Sequence, residues 1–148
     1  MKNIIFIPAV ISDKGEKKLR NTPLIKKIFE YSINSWKSFA KKHNCEVVVL
    51  DQPLMDPNIT SMAWQRYYVI DLLENNEIKY DQILIVDADT IVHPDCPNFF
   101  NMTDGLYTGV HDGVVYEWVM RSVECYSKFL FDDYKLNIWN YINGGFQI

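Results

Sequence analysis

Three short apolar runs, Ile4-Ile5-Phe6-Ile7, Val47-Val48-Val49-Leu50 and Ile83-Leu84-Ile85-Val86, set the main constraint on how this chain folds. None of them alternates with polar residues, so each predicts a strand buried on both faces, the environment of a parallel sheet covered by helices. The strands are expected at about Asn3–Val10, Glu46–Leu50 and Gln82–Val86. Between the first two, Thr22-Pro23 supplies a helix N-cap and a proline at the first helical position. Ile25, Phe29, Ile33, Trp36 and Ala40 then recur at helical spacing, which predicts a helix ending near His43. A second helix is expected from Thr60 or Ser61 to Asn76. The order β-α-β-α-β is that of an α/β fold with right-handed crossovers. A strand at Leu106–Val110, a helix at Val114–Phe131 and a last strand at Tyr141–Ile148 complete the expected order.

The length of 148 residues suits a single domain spanning 1–148, able to bury a core without staples. Aromatic residues make up 14% of the chain, a rich share that points to stacking surfaces or a bulky core. The net charge of −4 argues against nucleic acid as a partner, since phosphate affinity comes from clustered cations. The basic residues Lys14, Lys17, Lys18 and Arg20 read as a solvated face. Cys45, Cys96 and Cys125 are odd in number and widely spaced, which suits a reducing, cytoplasmic setting better than a disulfide framework. The apolar run ending at Ile11 is far shorter than the roughly 20 residues that span a bilayer, and no cleavage site follows it.

The chemistry concentrates where the third run ends. Ligands of open α/β sheets bind beyond the carboxyl ends of the strands, and there the chain carries Asp87-Ala88-Asp89. Two carboxylates one residue apart can meet at one hard cation, Mn²⁺ or Mg²⁺, leaving coordination positions for substrate phosphates. The plainer alternative has Asp87 capping the next turn and Asp89 solvated. Arg66 is flanked at helical spacing by Met62, Ala63, Val69 and Ile70, which places a guanidinium on or beside an apolar face, where it needs an anionic partner. That partner is either a bound diphosphate or a structural carboxylate such as Asp87. His93 and His111 read as surface or loop residues.

The segment Ile83-Leu84-Ile85-Val86-Asp87-Ala88-Asp89-Thr90, with Asp95 shortly after it, resembles the Asp-x-Asp region of GT-A fold glycosyltransferases. The nearest resemblance is to the retaining group of glycogenin and the bacterial lipopolysaccharide galactosyltransferases. It implies a three-layer α/β/α sandwich with a mostly parallel sheet, a metal at Asp87 and Asp89, and a nucleoside-diphosphate sugar, UDP-linked, as donor to an acceptor hydroxyl. Leu106-Tyr107-Thr108-Gly109-Val110-His111-Asp112 resembles the family's next strand, with Asp112 near the sugar. Asn143-Gly144-Gly145 is similar to its Asn-small-Gly turn, with Asn143 facing the sugar. By the same resemblance Arg66 and Ala88 border the diphosphate, while Pro8, Ala9, Val10 and Asp51 flank the nucleoside. Related enzymes continue beyond the position of Ile148 and there supply a histidine to the metal, so the chain is expected to be an incomplete catalytic unit, poorly active by itself and self-associating.

Three other readings compete. A nucleotidyltransferase that makes nucleotide sugars would open with a Gly-rich, basic phosphate loop just after the first strand, of which Ser12-Asp13-Lys14-Gly15-Glu16 is a poor version. A haloacid-dehalogenase-type phosphatase also has Asp-x-Asp after a strand, but with Gly-Thr following and close to the N-terminus, whereas Thr90 directly follows Asp89 here. A non-catalytic nucleotide-sugar-binding module would need only the binding residues.

Overall fold

Burial on both faces, expected of the first apolar run, is complete in the computed structural model, which describes residues 2–11, 23–112 and 115–148. Ile4, Ile5, Phe6 and Ile7 of strand β1 (Lys2–Pro8) are all 0% exposed. Side chains alternate across a strand, so these four feed two separate cores. Ile5 and Ile7 pack with Phe29, Trp36, Phe39 and Ala40 of helix α1 (Pro23–His43) on one side. Ile4 and Phe6 pack with Val69 and Leu73 of helix α2 (Val69–Asn75) on the other. Leu84 and Val86 of strand β3 (Tyr80–Val86) join the α1 side, and Ile85 joins the α2 side. The sheet therefore lies between two helical layers. The N-cap expected at Thr22 and the basic run at 14–20 lie outside the described residues.

The sheet runs in the order β2-β1-β3-β5-β4, where β2 is Glu46–Leu50, β4 is Gly109–His111 and β5 is Ile142–Gln147. β1 is parallel to both β2 and β3, whereas β5 is antiparallel to both β3 and β4. The sheet is thus mixed, where the sequence led to an expectation of mostly parallel pairing. The three unbroken apolar runs are the three parallel strands, whereas Gly109–His111 and Ile142–Gln147 carry no such run to indicate their direction. Helix α3 (Tyr116–Leu130) joins β4 to β5 and buries Val119 and Val123. No helix among the described residues is long and apolar enough to cross a membrane.

The second helix begins later than its apolar spacing predicts. Thr60 to Trp64 form turns and bends, a 3₁₀ turn follows at Gln65–Tyr68, and only then does α2 start. The reason is Gln65, fully buried, whose carboxamide does the work of a piece of backbone. Its Oε1 accepts from the N–H groups of Leu54 and Met55, and its Nε2 donates to the carbonyls of Met55 and Thr60. Side-chain bonds of this kind compete with helical ones and tie the loop after β2 to the 3₁₀ turn. Two 3₁₀ turns, Phe99–Met102 and Ile138–Asn140, also replace expected loop; Asn98 and Asn137 accept from the backbone at their starts.

Because Leu84 is fully enclosed between β1, β5 and α1, Leu84→Ala should lower the unfolding free energy by about 2–5 kcal/mol. Leu24→Ala, at a 67% exposed position of α1, should change it by less than about 0.5 kcal/mol. Urea denaturation of both variants checks the contrast.

Candidate functional site

The parallel strands end together at Pro8, Leu50 and Val86, and beyond Val86 the chain turns sharply. The Asp87 carbonyl accepts from both the N–H and the Oγ1 hydroxyl of Thr90, while Thr90 Oγ1 in turn accepts from the Trp36 indole at 3.1 Å. The turn is therefore tied to the core through α1, and Ala88 is buried within it. Asp87 anchors the turn through its backbone carbonyl, so its carboxylate takes no part in the turn. Asp89, two residues on, is exposed.

The Asp87 carboxylate faces Arg66, with Nη2 2.7 Å from Oδ1 and the guanidinium side chain only 14% exposed. This is the structural carboxylate partner that the apolar neighbours of Arg66 required. The same guanidinium donates through Nε to the Ala63 carbonyl at 2.8 Å and through Nη1 to the Gly144 carbonyl. Arg66 lies beside Gln65 in the 3₁₀ turn, so the buried carboxamide that fixes the loop also fixes the guanidinium.

Gly144 and Gly145 reach this pair because β5 is irregular there. Between its pairings with Gly109 and His111 of β4, β5 advances from Gln147 to Ile142, five residues against two. The three excess residues bow out of the ladder, as bulges near sites do. Asn143-Gly144-Gly145 is thus part of a distorted strand, not a turn ahead of one. Neither glycine has a positive φ, so what they supply is room. A Cβ on Gly145 would stand 2.1 Å from Asp87 Oδ2 and 2.9 Å from Asn143 Oδ1. The Asp87 N–H donates to the Gly145 carbonyl at 2.9 Å, and the Gly145 N–H donates to Asn143 Oδ1 at 2.7 Å. Gln147, buried in the same strand, donates to the Gly144 carbonyl and to the Tyr67 hydroxyl, and accepts from Tyr107.

Two chambers meet at the ion pair and share Ala63, Arg66 and Asp87. The narrower, about 170 Å³, adds Pro8, Val10, Phe29 and Met62, and ends at Ala88 and Asp89. The wider, about 640 Å³, holds Asp112, Asn143, Gly144 and Gly145 with Trp64, Tyr67, Trp118 and Tyr141. Burial pushes the Tyr141 phenol above its ordinary range, against a Ser122 hydrogen bond that lowers it, with Tyr126 and Asp112 pushing it further up. It is a neutral donor and acceptor at physiological pH.

The sequence-expected residues divide accordingly. Pro8, Val10, Arg66, Asp87, Ala88 and Asp89 come together at one chamber, and Asp112, Asn143, Gly144 and Gly145 at the other. Ala9 is buried in the α1-side core, its N–H bonded to the Leu50 carbonyl. Asp51 is exposed and lines neither chamber. Asp95 pairs loosely with His93 at the surface, 3.8 Å apart, with both side chains mostly exposed. Trp64, Tyr67 and Trp118 were not singled out by sequence; the high aromatic content was their only signal. Among the described residues, no three His, Cys, Asp or Glu side chains converge closely enough to hold a metal ion by themselves.

Comparison of the chain with protein-family models, with curated proteins and with solved structures finds no match.

Arg66→Gln removes the charge partner of Asp87 and should destabilise the fold by about 1–3 kcal/mol. Gly145→Ala forces the Asp87 carboxylate to move and should cost a similar amount, about 1–3 kcal/mol. Both act through one carboxylate, so the double variant should cost clearly less than the sum. Additive losses in thermal or urea unfolding would separate Gly145 from the ion pair.

Proposed function

We propose that this chain binds a nucleoside-diphosphate sugar, UDP-linked, on a GT-A-like architecture, and that the chemistry it serves is glycosyl transfer to an acceptor hydroxyl. One observation carries the reading: Asp87-Ala88-Asp89 leaves a central strand at the junction of two chambers, one lined mainly by apolar groups and the other by polar and aromatic side chains. In this reading the nucleoside occupies the narrower chamber against Pro8, Val10 and Met62. The diphosphate crosses the junction beside Arg66, and the sugar enters the wider chamber toward Asp112 and Asn143. Asn143 Oδ1 is engaged by the Gly145 N–H, which leaves the carboxamide nitrogen to donate to a sugar oxygen.

A divalent cation, Mn²⁺ or Mg²⁺, fits the donor set in part. Asp87 Oδ1 is taken by Arg66, so Asp87 Oδ2 and the exposed Asp89 carboxylate are the oxygens that would hold it, the rest of its shell coming from phosphates and water. Bound there, the cation would neutralise charge on the diphosphate leaving group. The occupied Oδ1 also favours a second reading, a nucleotide-sugar-binding module without turnover; release of UDP from a UDP-sugar on adding acceptor separates the two. Self-association belongs to the same proposal. Phe129, Leu130, Phe131 and Trp139 are 71, 64, 51 and 68% exposed, and a monomer by light scattering would remove that part.

Mn²⁺ and UDP together should raise the melting temperature by more than the sum of their separate effects, since each completes the other's site. Ligand at about 100 times its Kd adds about 2.7 kcal/mol. Asp89→Asn should abolish the synergy while leaving the unliganded melting temperature unchanged. Equal UDP binding in excess chelator would contradict the metal bridge.

A further inference from the structure

Strand β5 covers only part of β3. Ile85 and Val86 pair with Gln147 and Phe146, and nearer its start β3 is opposite no residue of β5. The Asp87 N–H donates to the Gly145 carbonyl, and hydrogen-bonded pairs alternate along antiparallel strands. Ile85, and Ile83 before it, therefore turn their backbone N–H and C=O toward the β5 side, where Ile83 meets no strand. The facing wall is the segment that leads into β4. Thr108 and Ile148 exchange both backbone hydrogen bonds, at 3.0 and 2.8 Å, so β5 runs between β3 and this segment. Farther along, the same two walls enclose an open cavity of about 620 Å³. Phe100 of the α1-side core and Ile83 of the α2-side core both line it, so it lies in the plane of the sheet and over neither face. Two strand spacings set its width at roughly 9–10 Å, room for one extended chain.

The outer wall is braced. Asp104 and Gly105 take positive φ of 50° and 72° and turn the chain back, and the Leu106 N–H donates to the Thr103 carbonyl at 2.8 Å. Thr103, buried, accepts from the Gln82 carboxamide at 2.7 Å, which ties this wall to β3. A slot formed in advance spares a ligand the cost of ordering it. Asp81 stands on one wall and Asp104 on the other, both exposed, and among the described residues neither has a cationic partner. An open strand edge flanked by two carboxylates selects its ligand. A lipid chain leaves the backbone groups of Ile83 without hydrogen bonds, and a nucleic acid meets two like charges. An extended peptide carrying Lys or Arg answers both demands, its main chain adding to the sheet and its cations pairing with the carboxylates.

We propose that this slot docks an extended, basic segment of a partner protein, added antiparallel to β3 in line with β5, with its backbone paired at Ile83 and its cationic side chains at Asp81 and Asp104. The docking site is independent of the nucleotide-sugar reading and stands or falls without it.

Fluorescence anisotropy with the labelled, end-capped peptide Lys-Val-Lys-Val-Lys-Val tests this. Glu-Val-Glu-Val-Glu-Val reverses the charge, and Lys-Val-Lys-Pro-Lys-Pro keeps the charge but removes two backbone donors. The first peptide should bind saturably and the other two should not. Binding should slow hydrogen exchange at the Ile83 amide. Asp81→Asn with Asp104→Asn should weaken it about fivefold. Both positions are exposed, and asparagine tolerates the positive φ at 104, so the double variant should melt with the parent. The proposal is overturned if the first peptide does not bind, if the proline peptide binds as well, which would show attraction to net charge alone, or if the acidic peptide binds as well. It is equally overturned if the folded double variant binds like the parent, or if protection appears along β2 or β4, the outer edges of the sheet, and not at Ile83.

Discussion

The Asp87 carboxylate is clasped from two sides, by Arg66 at 2.7 Å on one oxygen and by a backbone so close to the other that residue 145 has no room for a Cβ. Much of the local structure follows from that contact. Arg66 reaches Asp87 from the turn that the neighbouring Gln65 ties to the preceding loop. Gly144 and Gly145 reach it only because β5 carries three residues more than β4 can pair. The ion pair thus fastens a loop, the end of β3 and a distorted strand to one another, and the two chambers are the spaces left on either side.

The charge balance of this arrangement gives it a chemical use. The Arg66 guanidinium is largely withdrawn from water, so it needs an anion, and Asp87 supplies one. A charge-assisted bond of this geometry is stronger than a neutral one. A diphosphate arriving at the junction would offer the guanidinium a second anion, while a cation would offer Asp87 a second partner. Binding either alone disturbs the pair, and binding both restores local neutrality. In the proposed reading, cooperation between nucleotide and metal would then follow from the resident ion pair as much as from shared coordination.

Much of the scaffold was legible in the sequence because it depends on burial. The runs at Ile4, Val47 and Ile83 marked β1, β2 and β3 as doubly buried, and the spacing of Phe29, Trp36 and Ala40 marked α1. Asp87 and Asp89 could be placed because a strand end locates them without knowledge of contacts. What depends on pairing was hidden. The direction of β5 and its excess residues depend on register with β3 and β4, which apolar pattern does not encode. Gln65 gave no sign of its role, since a glutamine between tryptophan and arginine looks solvent-facing until its four backbone partners are known. Trp64 and Trp118 share a chamber although they lie on separate elements, and only the tertiary fold brings them together.

The proposed function requires a cation and a nucleoside diphosphate to meet at the end of β3. Paramagnetic broadening of backbone amide resonances by substoichiometric Mn²⁺, recorded with and without UDP, tests it most directly. Broadening should centre on Asp87, Ala88 and Asp89, extend across the strand pair to Gly144 and Gly145, and become more selective when UDP is present. Broadening centred on other carboxylates, such as the exposed Asp132 and Asp133, with the Asp87 to Asp89 resonances intact in the presence of UDP, would contradict it.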